Sequence, residues 1–398
     1  VFSHVPFAVS GGASSIPANL LIVDPSKIAS VFFPNGQPVT GTVRADLVAY
    51  GAQQSYNIEE NTKNAYVMGK FELGNANFDG GVRYVRTTQT SSGYAVANAN
   101  LPTQAITPVS FSNTYSMFLP SANLRYEFSP QYVLRAAYSK TLTRPDLNQM
   151  APSETVAGID QSGGTGSRGN PNLQPYTANN YDLGIEWYAN KQAMVGLTVF
   201  RKDIGGFIDT RTFTETRSFP RQADGVIVTG PIAFSQPVNG ISAKVDGAEL
   251  TIQSRFTFLP EGWMRNLGGI FNYTYTKSTA NFGVAGDVRS SGLPGLSKNS
   301  TNASLYYDDG TFEGRVSYAW RGRYLAQFSD DFGIPRFRDD YGQVDLSASY
   351  HVNRHLSIQL DVLNLTRAQF IDRSSAGMYP FGVYDLDRRI LLGARYSF

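Results

Sequence analysis

The chain has no cysteine in 398 residues, three histidines and three tryptophans. The first absence excludes a disulfide framework and a thiolate metal site. Charged residues make up only 17% and the formal net charge is +2. No surface of one sign awaits a polyanion, so nucleic acid is not a partner the composition suggests. No run of about 18 apolar residues occurs, which excludes a membrane-crossing helix. Val1–Pro6 carries no basic stretch followed by an apolar core and is not a signal peptide. What the chain does have is 23 Tyr, 25 Phe and 38 Gly. That mix favours strands and turns over helices.

The last nine residues show how such strands are used. Ile390, Leu392, Ala394, Tyr396 and Phe398 fall on one face of an extended strand. Arg389, Gly393, Arg395 and Ser397 fall on the other, with Leu391 the apolar exception. The same alternation recurs upstream. Leu183, Ile185 and Trp187 oppose Asp182 and Glu186. Leu346, Ala348 and Tyr350 oppose Asp345 and Ser349. Leu356, Ile358 and Leu360 oppose Gln359 and Asp361. About thirteen such segments are found between Asn64 and Phe398. A half-buried soluble sandwich can be patterned this way. So can a transmembrane barrel, whose strands need only about 9–11 residues of alternating character.

The connections separate the two. Short ones (Gly74–Phe78, Ser129–Pro130, Ala189–Gln192, Leu259–Arg265, Asp308–Thr311, Asn353–Arg354) alternate with long ones. The long ones are Gln89–Tyr115, Pro145–Ala178, Asp209–Ile241, Lys277–Lys298, Ala326–Asp339 and Arg367–Leu386. Bacterial outer-membrane barrels place short turns on the periplasmic side and long loops outside. The expected fold is therefore all-β, a transmembrane antiparallel barrel. An odd count makes the first and last strands run the same way, so antiparallel closure fails and the barrel is expected to be incomplete. Residues 1–55 are read as an extracellular loop segment and 56–398 as the C-terminal part of the barrel.

Several segments then resemble TonB-dependent outer-membrane receptors. Glu59-Glu60-Asn61-Thr62-Lys63-Asn64-Ala65-Tyr66-Val67 resembles a strand entry of that family. Thr141-Leu142-Thr143-Arg144-Pro145 and Gly169-Asn170-Pro171-Asn172-Leu173 bracket a loop as in the family. Leu293-Pro294-Gly295-Leu296-Ser297-Lys298, Asn364-Leu365-Thr366 and the C-terminal aromatic follow in order. The resemblance implies about thirteen C-terminal strands of a 22-stranded barrel, with the plug domain that fills such barrels lacking a counterpart. It implies uptake of a scarce, bulky nutrient, a carbohydrate or an iron chelate, driven through TonB and its inner-membrane complex. The other partners it implies are outer-membrane lipid and the barrel-assembly machinery, the latter reading Tyr396 and Phe398. A passive porin or structural barrel is the alternative, and a soluble β-sandwich adhesin a third.

No catalytic constellation can be drawn, and no enzyme, cofactor or metal is expected. His351 and His355 straddle a short turn, which suits a turn better than zinc. Gly163–Gly169 is glycine-rich but lacks the Gly-Lys-Ser/Thr ending of a phosphate loop. Asp330-Asp331 and Asp339-Asp340 supply oxygens in one loop, where solvation is the simpler reading. Ligand contacts are expected from loops: Arg144, Asp146, Asn170, Asn172, Tyr176, Arg323, Tyr324, Asp330, Tyr379 and Asp385. For each, loop packing is the competing role. Mixed charge signs over the loops lean toward sugar.

Overall fold

In a computed structural model, residues 2–6, 19–23, 51–52, 54–97, 105–160, 163–220, 226–240, 242–282, 289–327, 335–374 and 380–398 are described. Phe2–Pro6 and Asn19–Val23 form an antiparallel pair. Most of residues 1–55, with Asp330 and Tyr379, lie outside the described residues.

Thirteen strands make one wall. They are β1 (Asn57–Leu73), β2 (Ala76–Ala97), β3 (Ala105–Ser129), β4 (Tyr132–Thr143), β5 (Tyr176–Asn190), β6 (Ala193–Gly205) and β7 (Ser242–Arg255). There follow β8 (Leu267–Phe282), β9 (Asn299–Asp308), β10 (Phe312–Arg321), β11 (Tyr341–His351), β12 (Leu356–Leu363) and β13 (Arg389–Tyr396). Each is antiparallel to the next. Short turns gather at one end, as Gly74 with φ +57° illustrates between β1 and β2. Among the described residues no register of paired residues joins β13 to β1, and the sheet is open there. β13 is exposed along its whole length and β1 at nearly every position.

Burial is inverted relative to a soluble sheet. On β5, Leu183 and Ile185 are 49% and 45% exposed, while Asn180 between them and the loops is 9% exposed. Register carries this polarity across the wall. Trp187, Val195, Ile252, Phe271, Ala303, Tyr318 and Val344 are successive partners and share one face. Leu346, Val362 and Ile390 continue it, as do Ala348, Leu360 and Leu392. Tyr188, Met194, Gln253, Ile270, Ser304, Ser317 and Asp345 share the other. An apolar outer face with a polar inner face is the solution lipid imposes on a barrel wall.

The loops are folded, which the sequence pattern does not disclose. The segment expected as a loop over Gln89–Tyr115 instead continues β2 and β3, paired as far as Ala97 and Ala105. Strand pairs 154–168 and 208–239 stand above β2–β7, with parallel contacts between Ile232–Ser235 and Gly164–Ser167 and between Ala95–Val96 and Glu154–Thr155. β10 ends at Arg321, and Tyr324–Gln327 joins a four-stranded loop sheet with Arg336–Arg338, Gln369–Ser374 and Pro380–Asp385.

Candidate functional site

The expected ligand residues separate into two groups. Arg144, Asp146, Asn170, Asn172 and Tyr176 belong to the loop after β4. Arg144 Nη2 donates to Thr62 Oγ1 (3.2 Å) and Thr87 Oγ1 (3.3 Å), and its Nε to Tyr115 Oη (3.2 Å). It therefore ties the loop to the inner face of β1–β3. The Asp146 amide donates to Gln149 Oε1 at the start of a short 3₁₀ turn. Asn170 Nδ2 donates to the Pro237 carbonyl (3.0 Å), and its Oδ1 accepts from the Asn172 amide (3.0 Å). The Tyr176 ring lies 6.0 Å from that of Phe207. These contacts hold loops to each other and to the wall.

The hairpins above this group close over Phe234, which is fully buried with Ile232 and Val156. The Arg168 and Arg217 guanidiniums lie 4.7 and 4.6 Å from the Phe234 ring. Both are paired with Glu154 and Glu215. The glycines of 163–169 serve this packing: a Cβ on Gly166 would stand 2.5 Å from the Phe234 ring. Hydrogen bonding from Arg168 holds the Glu215 carboxyl below its ordinary value, with Arg217 adding to the effect against desolvation.

Arg323 and Tyr324 lie elsewhere, on a cavity of about 860 Å³ at the loop end of β8 and β10. Tyr275, Thr276, Lys277 and Ser278 supply both faces of the end of β8. Leu293, Leu296 and Lys298 come from the next loop, and Leu325 and Phe337 from the loop sheet. The Lys298 ammonium is 5.6 Å from the Tyr275 ring centre, Arg323 is 4.8 Å from Phe337, and Arg321 is 3.9 Å from Tyr324. Such contacts hold cations against aromatic faces. Among the described residues the lining contains no carboxylate. Asp339, just behind, lies 3.8 Å from Arg323 and is engaged by Arg373 at 2.5 Å.

The Leu293–Lys298 segment is fixed by its backbone. Thr276 Oγ1 donates to the Ser297 carbonyl (2.6 Å), the Gly295 amide to the Leu325 carbonyl (2.8 Å), and Arg321 Nε to Ser297 Oγ (2.7 Å). Gly295 has φ +78°, which favours glycine. The loop sheet is fixed in turn by Arg338, whose Nε and Nη2 meet the Asp372 carboxylate at 2.7 and 3.0 Å. Asp385 accepts from Gln369 within the same sheet. Asp330 and Tyr379 lie outside the described residues. Tyr275, Lys277, Lys298 and Phe337 line the cavity without being legible as site residues in the sequence. Their shared location follows from strand register across three separate segments.

Among the described residues no group of three or more His, Asp and Glu could hold a metal ion. His351 Nε2 stands 3.5 Å from Glu313, and His355 Nδ1 lies 2.9 Å from the Ser397 carbonyl.

Comparison with known proteins agrees with the wall. The chain is 25% identical over 240 residues to the catecholate siderophore receptor Fiu of Escherichia coli K12, covering 59% of this chain and 28% of that protein. It is 27% identical over 259 residues to the ferric enterobactin receptor of Pseudomonas aeruginosa, covering 62% and 32%. It thus spans about a third or less of these relatives. The crystal structure of Fiu superposes with a TM-score of 0.61 at 18% identity, over 86% of this chain and 45% of that one. The siderophore receptor PirA of Acinetobacter baumannii gives 0.59 at 16%, over 86% and 55%. At these identities the two structures speak to fold. The family model for TonB dependent receptor-like β-barrels matches residues 27–365. The chain belongs to the TonB-dependent receptor family, as part of its β-barrel.

Proposed function

We propose that this chain forms part of an outer-membrane receptor that imports a ferric catecholate chelate, with energy delivered by TonB and its inner-membrane complex. The observation that carries this reading is the cavity bounded by Lys277, Lys298 and Arg323 with Tyr275, Tyr324 and Phe337. Ferric catecholates are anionic and aromatic. Cations answer the charge and aromatic faces answer the rings. Charge signs mix over the loops as a whole, while the described lining of this cavity carries Lys277, Lys298 and Arg323 and no Asp or Glu. The names of the relatives, a catecholate siderophore receptor and a ferric enterobactin receptor, point to the same ligand chemistry. A volume near 860 Å³ is within the range of small-molecule sites, about 300–1,000 Å³.

In this reading the apolar outer face meets lipid. Tyr396 and Phe398, 60% and 109% exposed with rings 5.3 Å apart, present a C-terminal aromatic pair to the barrel-assembly machinery. The protein is a transporter and performs no catalysis.

The test is binding to the detergent-solubilised receptor, read by quenching of intrinsic fluorescence. A ferric tris-catecholate is expected to bind. Substituting Lys277, Lys298 and Arg323 together by Ala is expected to weaken it by about tenfold or more. Binding of a neutral oligosaccharide with no response to the ferric chelate would replace the ligand class with carbohydrate.

A further inference from the structure

The outer face of β1–β3 can be read row by row from the short-turn end. The rows are Leu73–Ala76–Tyr126, Phe71–Phe78–Leu124, Gly69–Gly80–Ala122, Val67–Val82–Pro120 and Ala65–Tyr84–Phe118. None carries a charge. On β1 they run from Ala65 to Leu73, nine residues inclusive, which is the length a tilted strand needs to cross hydrocarbon. The top row ends in an aromatic pair, Tyr84 and Phe118, with ring centres 5.1 Å apart. Aromatic pairs of this kind mark a membrane interface.

The next row on the loop side is Lys63–Arg86–Ser116. Lys63 and Arg86 are directly opposed on adjacent strands, and both are exposed. Like charges in that position destabilise a sheet. Among the described residues neither forms an ion pair. The nearest carboxylate on this face of β1, Glu59, lies four residues further on and accepts from Asn61 (2.8 Å). Tyr84 Oη donates to Ser116 Oγ (3.2 Å), placing hydroxyls beside the two cations. The opposite face is occupied by Arg144 on Thr62 and Thr87, so the cations cannot be shared with the loop inside.

We infer that Lys63 and Arg86 form a site for the phosphate of an outer-leaflet lipid headgroup, with its acyl chains against the five apolar rows below. An anion between two opposed cations converts a repulsion into two attractions, and basic residues just above an apolar band recruit anionic headgroups. The inference rests on the proposed outer-membrane placement and is independent of the nutrient.

The test uses the intact receptor purified from outer membranes, with lipid A as probe and binding read by native mass spectrometry. Phosphorylated lipid A is expected to remain bound and chemically dephosphorylated lipid A to bind about tenfold more weakly or less. Lys63→Gln with Arg86→Gln is expected to abolish that difference, whereas Lys70→Gln, on the inner face of β1, leaves it intact. Equal retention of both lipids, or an unchanged preference in the double variant, would overturn the site. Saturation by inorganic phosphate alone would make it a free-anion site and overturn the lipid assignment. Ferric-catecholate binding and membrane fractionation on the same preparations keep failure here distinct from failure of the transport reading.

Discussion

Asn364 shows what a single side chain does in this wall. It adopts φ +53° and is 4% exposed where β12 ends. Its Nδ2 donates to the Ala368 and Leu386 carbonyls, and its Oδ1 accepts from the Ala368 amide. One residue thus joins both ends of the loop carrying Gln369–Ser374 and Pro380–Asp385. Removing such a buried partner costs about 1–3 kcal/mol. Asn364→Ala is expected to expose that loop, and trypsin cleavage after Arg373 should quicken while the wall stays intact. A cleavage rate equal to the parent would show that the loop is held elsewhere. Glu215 gives a second residue-scale expectation. Its carboxyl sits below the ordinary 4.5, first through its hydrogen bond from Arg168. A depressed carboxylate contributes stability that is full above its unfolded value and is lost as pH falls through the folded one. The hairpins over Phe234 should therefore hold above about pH 4.5 and loosen below it, measured as amide exchange in 208–239. Glu215→Gln should flatten that dependence.

Among the elements, β5, β6 and β7 set the rule for the wall. Ile185, Leu197 and Leu250 are successive partners on the outer face. Leu197→Arg should cost about 2–4 kcal/mol if it lies near the bilayer midplane, measured by urea unfolding in lipid vesicles. Leu197→Met should cost little. A change near zero for Arg would place this row in water. The strands themselves were legible in the sequence. Period-2 patterns in Asn180–Tyr188 and Asp339–Val352 gave their positions and faces, because lipid on one side and polar groups on the other impose alternation. Loop sheets were not legible. Gly163–Arg168 packs as a strand because Gly166 admits Phe234 from a hairpin about 70 residues later, and no local period announces it. Arg323 and Tyr324 were found as loop residues, but their cavity partners on β8 required the register of β8, β9 and β10. The hydrogen bonds of Arg144 to Thr62 and of Asn170 to the Pro237 carbonyl were equally illegible, because their partners lie about 70 to 80 residues away in the chain.

At the scale of the molecule, thirteen antiparallel strands with both end strands running toward the short turns leave two open edges. Unpaired backbone in hydrocarbon costs several kcal/mol per group, so these edges are where further strands of a receptor barrel would dock. A barrel that only leaks and one that imports differ in their need for energy. Whole cells expressing the receptor from its gene, starved of iron and given radio-iron bound to a catecholate, measure this most directly. Iron is expected to accumulate above the external concentration, and the accumulation to collapse when an uncoupler removes the proton gradient. Entry that never exceeds the external concentration and ignores the uncoupler would contradict it and make the wall part of a passive pore.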